Sequence, residues 1–381
     1  MNWDSLIGQE PLKKQLTELV LQNRLSHALL FLGKEGVGAL PLAISFAQYL
    51  VCEKAVSANL SAPCGVCAAC KKGSELVHPD IHFSYPTVTK KPGEKPIATD
   101  FIKEWREFMA QFPYGNLFDW IELIKEKDNS QGKITAEECN DIVRKLSLKS
   151  FESPWKILIL WLPELMGNEG NKLLKLIEEP PPQTLLLLVS ENESGILSTI
   201  VSRCQLIKVP ALETTVIEKA LIERNKTAPA IAGQLAALAD GNYREALMLV
   251  QHAEEDWQEL VRNWLNAILK TGPVAQTKWV EEIAKLGREK QKQFLRYFNH
   301  LLEQAVHYRI QGENVLISEK EKDFAARLNR IAGFEQQEAM MHEIDQAHYH
   351  VERNANAKIL FHALTIKLYH IIQDNTVLLL E

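Results

Sequence analysis

The chain has 381 residues, of which 46% are hydrophobic and 24% charged, with a net charge of −6. That composition excludes a disordered or collagen-like chain. The negative balance excludes a protein that binds polyanions over its whole surface, so any nucleic-acid contact would be a local basic patch or run through partners. The longest apolar runs, "ILILW" and "TLLLLV", are strand-sized and too short to cross a bilayer. No N-terminal signal is visible, and the expectation is a soluble, cytoplasmic protein of two or three domains.

The first two-thirds of the chain alternates helices and strands. "PLKKQLTELVLQNRL" places Leu12, Leu16, Leu19 and Val20 on one helical face. "HALLFLG" reads as a buried strand ending in glycine. "LPLAISFAQYLVC" reads as a helix that tolerates Pro41 in its first turn. "DIHFSYP" is a short strand. "TAEECNDIVRKLSL" is a helix that Thr135 caps, with Glu138 completing a capping box. "WKILILW", "TLLLLVS" and "CQLIKVP" are further strands, and the helix "GNKLLKLIEE" stops before Pro180-Pro181-Pro182. Near-continuous apolar strands separated by helices predict a parallel sheet covered on both faces.

After Pro210 the strands cease. A small helical segment covers 211–253, and from about Asp256 onward the pattern is helical throughout. Trp257, Leu260, Val261, Trp264, Leu265, Ile268 and Leu269 keep the i, i+3, i+4, i+7 spacing of a bundle. The expected domains are 1–210, 211–253 and 254–381. Residues 86–133 interrupt the alternation. They are Lys-rich at both ends and carry Trp105, Phe108, Phe112, Tyr114, Phe118 and Trp120 between. That aromatic content predicts an inserted segment that packs rather than remains disordered.

Three features carry chemistry. The first is "FLGKEGVGALPLA", where Gly33, Gly36 and Gly38 are spaced as in a phosphate-cradling loop between strand and helix. The Lys and Ser/Thr positions of that motif hold Ala39 and Leu40, so neither the phosphate charge partner nor the metal hydroxyl is present. Lys34 stands at the start of the loop, a poor place from which to substitute, and would do so only in an autonomous ATPase of unusual loop. The strand "KILILW" also ends in Trp161-Leu162 where a P-loop ATPase carries acids. Glu164 lies two positions on and reads as a helix-terminus carboxylate. A plain glycine-rich turn is the alternative to a nucleotide loop that has lost its chemistry.

The second feature is Cys64-x2-Cys67-x2-Cys70, just after a helix that ends at Cys52. With no secretory signal, clustered cysteines favour a metal over disulfides. Four thiolates would make a closed, structural zinc site, with Cys52 or His78 as fourth ligand. An iron–sulfur cluster also uses such a run, but the usual further Cys-Pro is missing. Cys139 and Cys204 read as ordinary buried cysteines.

The third is Ser202-Arg203-Cys204, between a short helix and a strand. An arginine there is favourable for the helix dipole alone. Read in order, however, "LIGQE", "SHALLFLGKEGVG", the cysteine run, "HPD", "NKLLKLIEEPPPQT", "TIVSRC" and "GNYREAL" resemble the clamp-loader family of AAA+ proteins serving bacterial DNA polymerase III. The resemblance covers residues 1 to about 250 well and the tail only by pattern. It implies an α/β P-loop AAA+ module with a small helical lid and a C-terminal all-α collar. The degenerate loop beside an intact Ser-Arg-Cys marks a non-motor member.

The resemblance implies that Arg203, with Ser202 beside it, acts as an arginine finger in trans on a neighbour's nucleotide, that Arg244 stands at the sensor-2 position, and that Ser190 and Asn192 fall near sensor 1. It implies no productive ATP on this chain and no catalysis by the isolated chain. The partners it implies are a gamma/tau motor subunit, a delta subunit, the beta sliding clamp and primed DNA, the last two through the complex, and no membrane. The insertion is longer than the family's usual connection; it could extend a subunit interface, cover the sheet, or reach DNA through Lys90, Lys91 and Lys95. Two other functions stay open on the residues: an autonomous ATPase with an atypical loop, and a zinc-knuckle nucleic-acid-binding module, against which the net charge and the sparse basic residues near the knuckle (Lys71 and Lys72) count.

Overall fold

The computed structural model describes residues 3–373 except 56, 90–92, 94, 126–130, 252–256, 313–318 and 354. The chain forms two compact units, Met1–Val250 and Gln251–Glu381. In chain order the first holds α1 (Glu10–Leu21), β1 (Ala28–Leu32), α2 (Ala39–Val51), α3 (Ala68–Ser74), β2 (Ile81–Ser84), α4 (Ile102–Gln111), α5 (Leu117–Ile124), α6 (Ala136–Ser147) and β3 (Lys156–Trp161). Next come α7 (Leu174–Glu178), β4 (Thr184–Ser190), α8 (Ser198–Val201), β5 (Gln205–Lys208), α9 (Thr214–Asn225), α10 (Pro229–Leu238) and α11 (Tyr243–Gln251).

The five strands make one all-parallel sheet in the order β2-β3-β4-β1-β5. Strands β3 and β4 are buried along their whole length, which is why they read as unbroken apolar runs rather than alternating ones. Their side chains feed two layers. Leu29, Phe31, Ile157, Ile159, Leu185 and Leu187 face one core, and Leu30, Leu158, Leu160, Leu186 and Leu188 the other. Helix α2 is buried at every position, as befits a helix caught between the sheet and a further layer.

The inserted segment packs against Trp161 at the end of β3 and Tyr85 just after β2. A single antiparallel bridge, Thr87 to Lys133, closes its base. Between them α4 and α5 bury Trp105, Phe108 and Trp120 completely. Trp105 stacks on Tyr85 at 4.1 Å and meets Trp120 edge-on at 5.4 Å. Trp120 donates its indole N–H to the Pro86 carbonyl at 2.7 Å, the polar partner a buried indole needs. The segment therefore covers the sheet, as its aromatic content required; Phe112 and Phe118 are the two aromatics it leaves exposed. Lys90 and Lys91 lie outside the described residues.

Some local expectations change. Thr135 caps α6 by accepting from the Glu138 N–H, but the capping box is not closed: Glu138 Oε2 instead accepts from the Ala98 N–H at 2.6 Å. Glu138 is drawn inward because the insertion supplies a buried donor, and burial pushes its carboxyl pKa up. The helix read as "GNKLLKLIEE" is α-helical only at Leu174–Glu178; 3-10 turns over Pro163–Leu173 precede it, broken at Gly167. The helical run after Ala228 divides at Asp240-Gly241, both in the left-handed region. Helices α9–α11 carry their own core, including Ile217, Leu221, Ala232, Leu235, Tyr243 and Ala246.

The second unit is α12 (Trp257–Asn266), a π-helical turn Ala267–Thr271, then α13 (Pro273–Ala284), α14 (Arg288–Gln311), α15 (Glu319–Ile331), α16 (Phe334–Glu352) and α17 (Ala357–Gln373). Its core is built on Trp264, which stacks on Trp279 at 4.4 Å and donates to Thr365 Oγ1 at 2.9 Å. Among the described residues no helix is long and apolar enough to cross a membrane.

The "HPD" motif is explained by Asp80. Its carboxylate accepts three backbone N–H groups, from Phe151, Glu152 and Ser153 at 2.5–2.8 Å, pinning the turn before β3. Burial alone would raise its pKa, but those three donors outweigh burial and hold it below the ordinary carboxylate value. A depressed carboxylate stabilises above its unfolded pKa of about 4, and that contribution is lost as pH falls through the folded pKa. Asp80→Asn is therefore expected to lower stability by about 1–3 kcal/mol at pH 7. Urea melts of both proteins should converge as pH drops below about 4; a gap that persists there would contradict this role.

Candidate functional site

Parallel strands bring their carboxyl ends to one edge of the sheet. Gly33 follows β1, Trp161 ends β3 and Ser190 ends β4. The Gly33 N–H donates to the Ser190 carbonyl at 3.2 Å. The glycine turn thus has the strand–turn–helix setting of a phosphate cradle. Gly36 (φ +71°) must be glycine: a Cβ there would lie 1.7 Å from Asn242 Oδ1. Gly38 (φ +92°) caps α2, and a Cβ on it would strike the Tyr114 ring at 2.8 Å.

Ala39 and Leu40 are buried in the first turn of α2, and Lys34 is exposed. Trp161 and Leu162 are buried, and Trp161 packs on Trp105 and Phe108 at 5.5 and 5.6 Å. Glu164 stands in the first 3-10 turn after β3, yet it serves the next strand. Its Oε1 accepts from the Glu191 and Asn192 N–H groups, while burial pushes its pKa up. Ser190 is fully buried, and its hydroxyl accepts the Asn192 N–H at 3.1 Å.

The pocket itself is nearly full. Between Gly33, Gly36, Gly38, Pro113, Tyr114, Trp161 and Ser190 about 20 Å³ remains open, room for roughly one water. Tyr114 accepts the Ile7 N–H through its hydroxyl at 2.7 Å and meets Tyr243 edge-on at 5.1 Å. Burial pushes its pKa up to about 12. The "LIGQE" segment reaches the same place, since Gln9 donates to the Val37 and Pro210 carbonyls.

Arg244 lies in the first turn of α11 with its side chain 4% exposed. It makes a two-pronged pair with Asp119, Nε to Oδ2 at 2.5 Å and Nη2 to Oδ1 at 2.7 Å. Asp119 is itself held in a capping box with Asn116 at the start of α5. Glu35, within the glycine turn, accepts from Asn116 at 2.8 Å and from Asn242 at 3.3 Å. None of Asp119, Asn116, Glu35 or Tyr114 stood out as a site residue in the sequence. "NLFD" is legible as a helix start, but nothing local links it to an arginine 125 residues away.

Arg203 lies elsewhere, at the α8–β5 corner. Its guanidinium donates to the Thr199 carbonyl at 2.7 Å and to Ser202 Oγ at 3.3 Å, and pairs with Glu178 at 2.6 Å. Both members are open to solvent, 37% and 45% exposed. Cys204 is partly rather than fully buried, a departure from the sequence reading, because the turn into β5 sits at the sheet margin; burial still raises its thiol pKa to about 11.

The four knuckle cysteines converge. The Sγ atoms of Cys52, Cys64, Cys67 and Cys70 all lie within 4.8 Å of one another, none disulfide-bonded. A tetrahedral Zn–S₄ centre with bonds of about 2.3 Å has sulfurs roughly 3.8 Å apart; Cys64 and Cys70 stand at 4.0 Å. Backbone N–H groups of Cys64, Cys67 and Cys70 point at the preceding sulfurs at 3.3–3.4 Å, as thiolates would require. The N–H groups of Val66 and Cys67 pull Cys64 down to about 6, while burial pushes Cys70 up. The donor set fits zinc. His78 is not part of it: its Nδ1 accepts the Asp80 N–H, and Nε2 faces Glu152 at 3.4 Å. Cys52 is the fourth member.

A parallel sheet of this strand order, a glycine turn after β1, which lies inside the sheet between β4 and β5, and a helical segment bearing an arginine beside that turn define an AAA+ module. A model of the family described as DNA polymerase III, delta subunit, matches residues 8–213, and the chain belongs to that family. It is 28% identical to DNA polymerase III subunit delta' of Bacillus subtilis over 67% of this chain and 63% of the relative. It is 27% identical to subunit tau of the same organism over 79% of this chain and 46% of the relative. The chain thus spans less than two thirds of the length of either. A solved gamma-subunit-related protein of DNA polymerase III from Thermotoga maritima is 14% identical with a TM-score of 0.38, covering 93% of this chain and 98% of that one.

Because the Arg203–Glu178 pair is exposed, it contributes little to stability. Arg203→Ala and Glu178→Ala should each change the unfolding free energy by less than about 1 kcal/mol. A thermal melt showing a larger loss for either would mean that the pair is structural.

Proposed function

We propose that this chain is a non-motor, delta-prime-type subunit of a replicative clamp loader. The observation that carries it is the contrast between two corners of one sheet. The glycine turn holds Ala39 and Leu40 and is filled, whereas Arg203 stands exposed beside Ser202. Arg203 serves as an arginine finger in trans, presented to nucleotide on a neighbouring gamma/tau motor subunit. A guanidinium is always charged, planar and forked, which suits it to oxygens of a γ-phosphate. Glu178 holds Arg203 in reserve until that neighbour docks, and the weak exposed pair is easily exchanged for phosphate.

In this reading the chain works with gamma/tau and delta subunits, and it meets the beta sliding clamp and primed DNA through the complex, in the cytoplasm. The isolated chain catalyses nothing. Arg244 and Gly33, Gly36 and Gly38 are retained for structure. The relatives named delta' and tau, together with family membership, support the assignment. The proposed division is an α/β domain 1–210, a lid 211–253 and a collar 254–381, supported by the separate cores of the sheet, of α9–α11 and of α12–α17. Cys52, Cys64, Cys67 and Cys70 hold a structural zinc that fastens the end of α2 to the start of α3. Zinc there supplies cross-linking only, since all four positions are sulfur.

In a complex reconstituted with Arg203→Ala, turnover at the adjoining nucleotide should fall by about 10³-fold. DNA-stimulated ATPase and clamp loading should fall with it, and unchanged rates would contradict the finger. Elemental analysis of protein purified without chelator should give one zinc per chain, lost in Cys67→Ser together with thermal stability; metal-free wild-type protein would refute the site.

A further inference from the structure

We propose that the inserted segment is an internal substitute for nucleotide, locking helices α9–α11 onto the glycine turn with no ligand bound. This deepens the non-motor reading of the same site and rests on it. Three contacts make the case. Tyr114 occupies the space over Gly38, leaving about 20 Å³, and its ring belongs to the core of α9–α11 together with Leu212, Ile217 and Tyr243. Asp119 gives Arg244 a two-oxygen anionic partner. Asn116 and Asn242 reach Glu35 of the turn from the insertion and from the helical segment respectively.

The physical logic is one of charge and space. A glycine turn between strand and helix points backbone N–H groups at an anion, and a guanidinium buried beside it needs one. A forked donor set accepts a carboxylate or a phosphate with the same geometry. Here the chain supplies the carboxylate itself, at a position fixed by the Asn116–Asp119 capping box. The tyrosine ring supplies the flat, apolar bulk. Tyr243 N–H, donating to the Gly36 carbonyl at 3.1 Å, completes the closure. The site is therefore filled by the chain's own side chains, and the arrangement of α9–α11 on the sheet does not depend on ATP.

Hydrogen exchange on the full-length chain tests this. In Asp119→Asn the amides of Tyr243–Gln251 should exchange about 10²-fold faster, as loss of one partner of a buried pair requires, while those of β1, β3 and β4 keep their protection. Asp119→Glu should recover most of it. Tyr114→Ala, which leaves the ion pair in place, should speed exchange in both Gly36–Leu40 and α11; it carries the test alone if Asp119→Asn loses protection throughout the sheet. Wild-type exchange in both variants would overturn the inference. Calorimetry of the wild-type chain with Mg-ATP separates the two levels. Binding would overturn the substitute and the non-motor reading together. No binding, combined with unchanged exchange in the variants, would overturn the substitute alone.

Discussion

The constraint on which the molecule depends is that all five strands run parallel. Parallel strands deliver their carboxyl ends to one edge, so the segments after β1, β3 and β4 meet there whatever their side chains are. The edge is a ready site for an anion, with glycine-turn amides at its centre. What the chain places on that edge decides its use. Here Ala39, Leu40, Trp161 and Leu162 stand there buried, and the edge is an apolar and aromatic seam.

This seam links features that look unrelated in sequence. On an open, wet edge Trp161 would expose a large apolar surface. The inserted α4 and α5 cover it with Trp105, Phe108 and Trp120. Having covered the seam, α5 also brings Asp119 to Arg244. An arginine 4% exposed would be costly without such a partner. The apolar edge and the inserted segment are thus two sides of one packing solution. The remaining arginine of interest, Arg203, stays outside it, exposed and loosely held.

Much of this was legible in the sequence. The strands were plain because β3 and β4 are buried on both faces and read as "KILILW" and "TLLLLVS". The spacing of Cys64, Cys67 and Cys70 pointed to a metal site with its fourth member open between Cys52 and His78, and the sulfur that converges with theirs is that of Cys52. The residues that stand in the glycine turn, Ala39 and Leu40 among them, could be read directly. Pairings across long separations could not. Asp119 meets Arg244, and Glu35 meets Asn242, only because the sheet folds their segments onto one edge. Glu138 read as a capping-box residue, since local spacing cannot reveal that Ala98 offers a buried N–H. The apolar spacing of "GNKLLKLIEE" likewise concealed how little of the segment after β3 is α-helical. A left-handed Leu162 and a left-handed Gly167 break the chain there into 3-10 turns.

The proposed role turns on where Arg203 goes when a neighbour docks. The most direct measurement is a structure of the assembled complex with a non-hydrolysable ATP analogue on the motor subunits. The account predicts the Arg203 guanidinium about 3 Å from γ-phosphate oxygens of the adjoining nucleotide, its pair with Glu178 broken, and Tyr114 still seated over Gly38. Nucleotide bound in this chain's own Gly33–Leu40 turn, or Arg203 still paired with Glu178 and remote from the neighbour's phosphate, would contradict it.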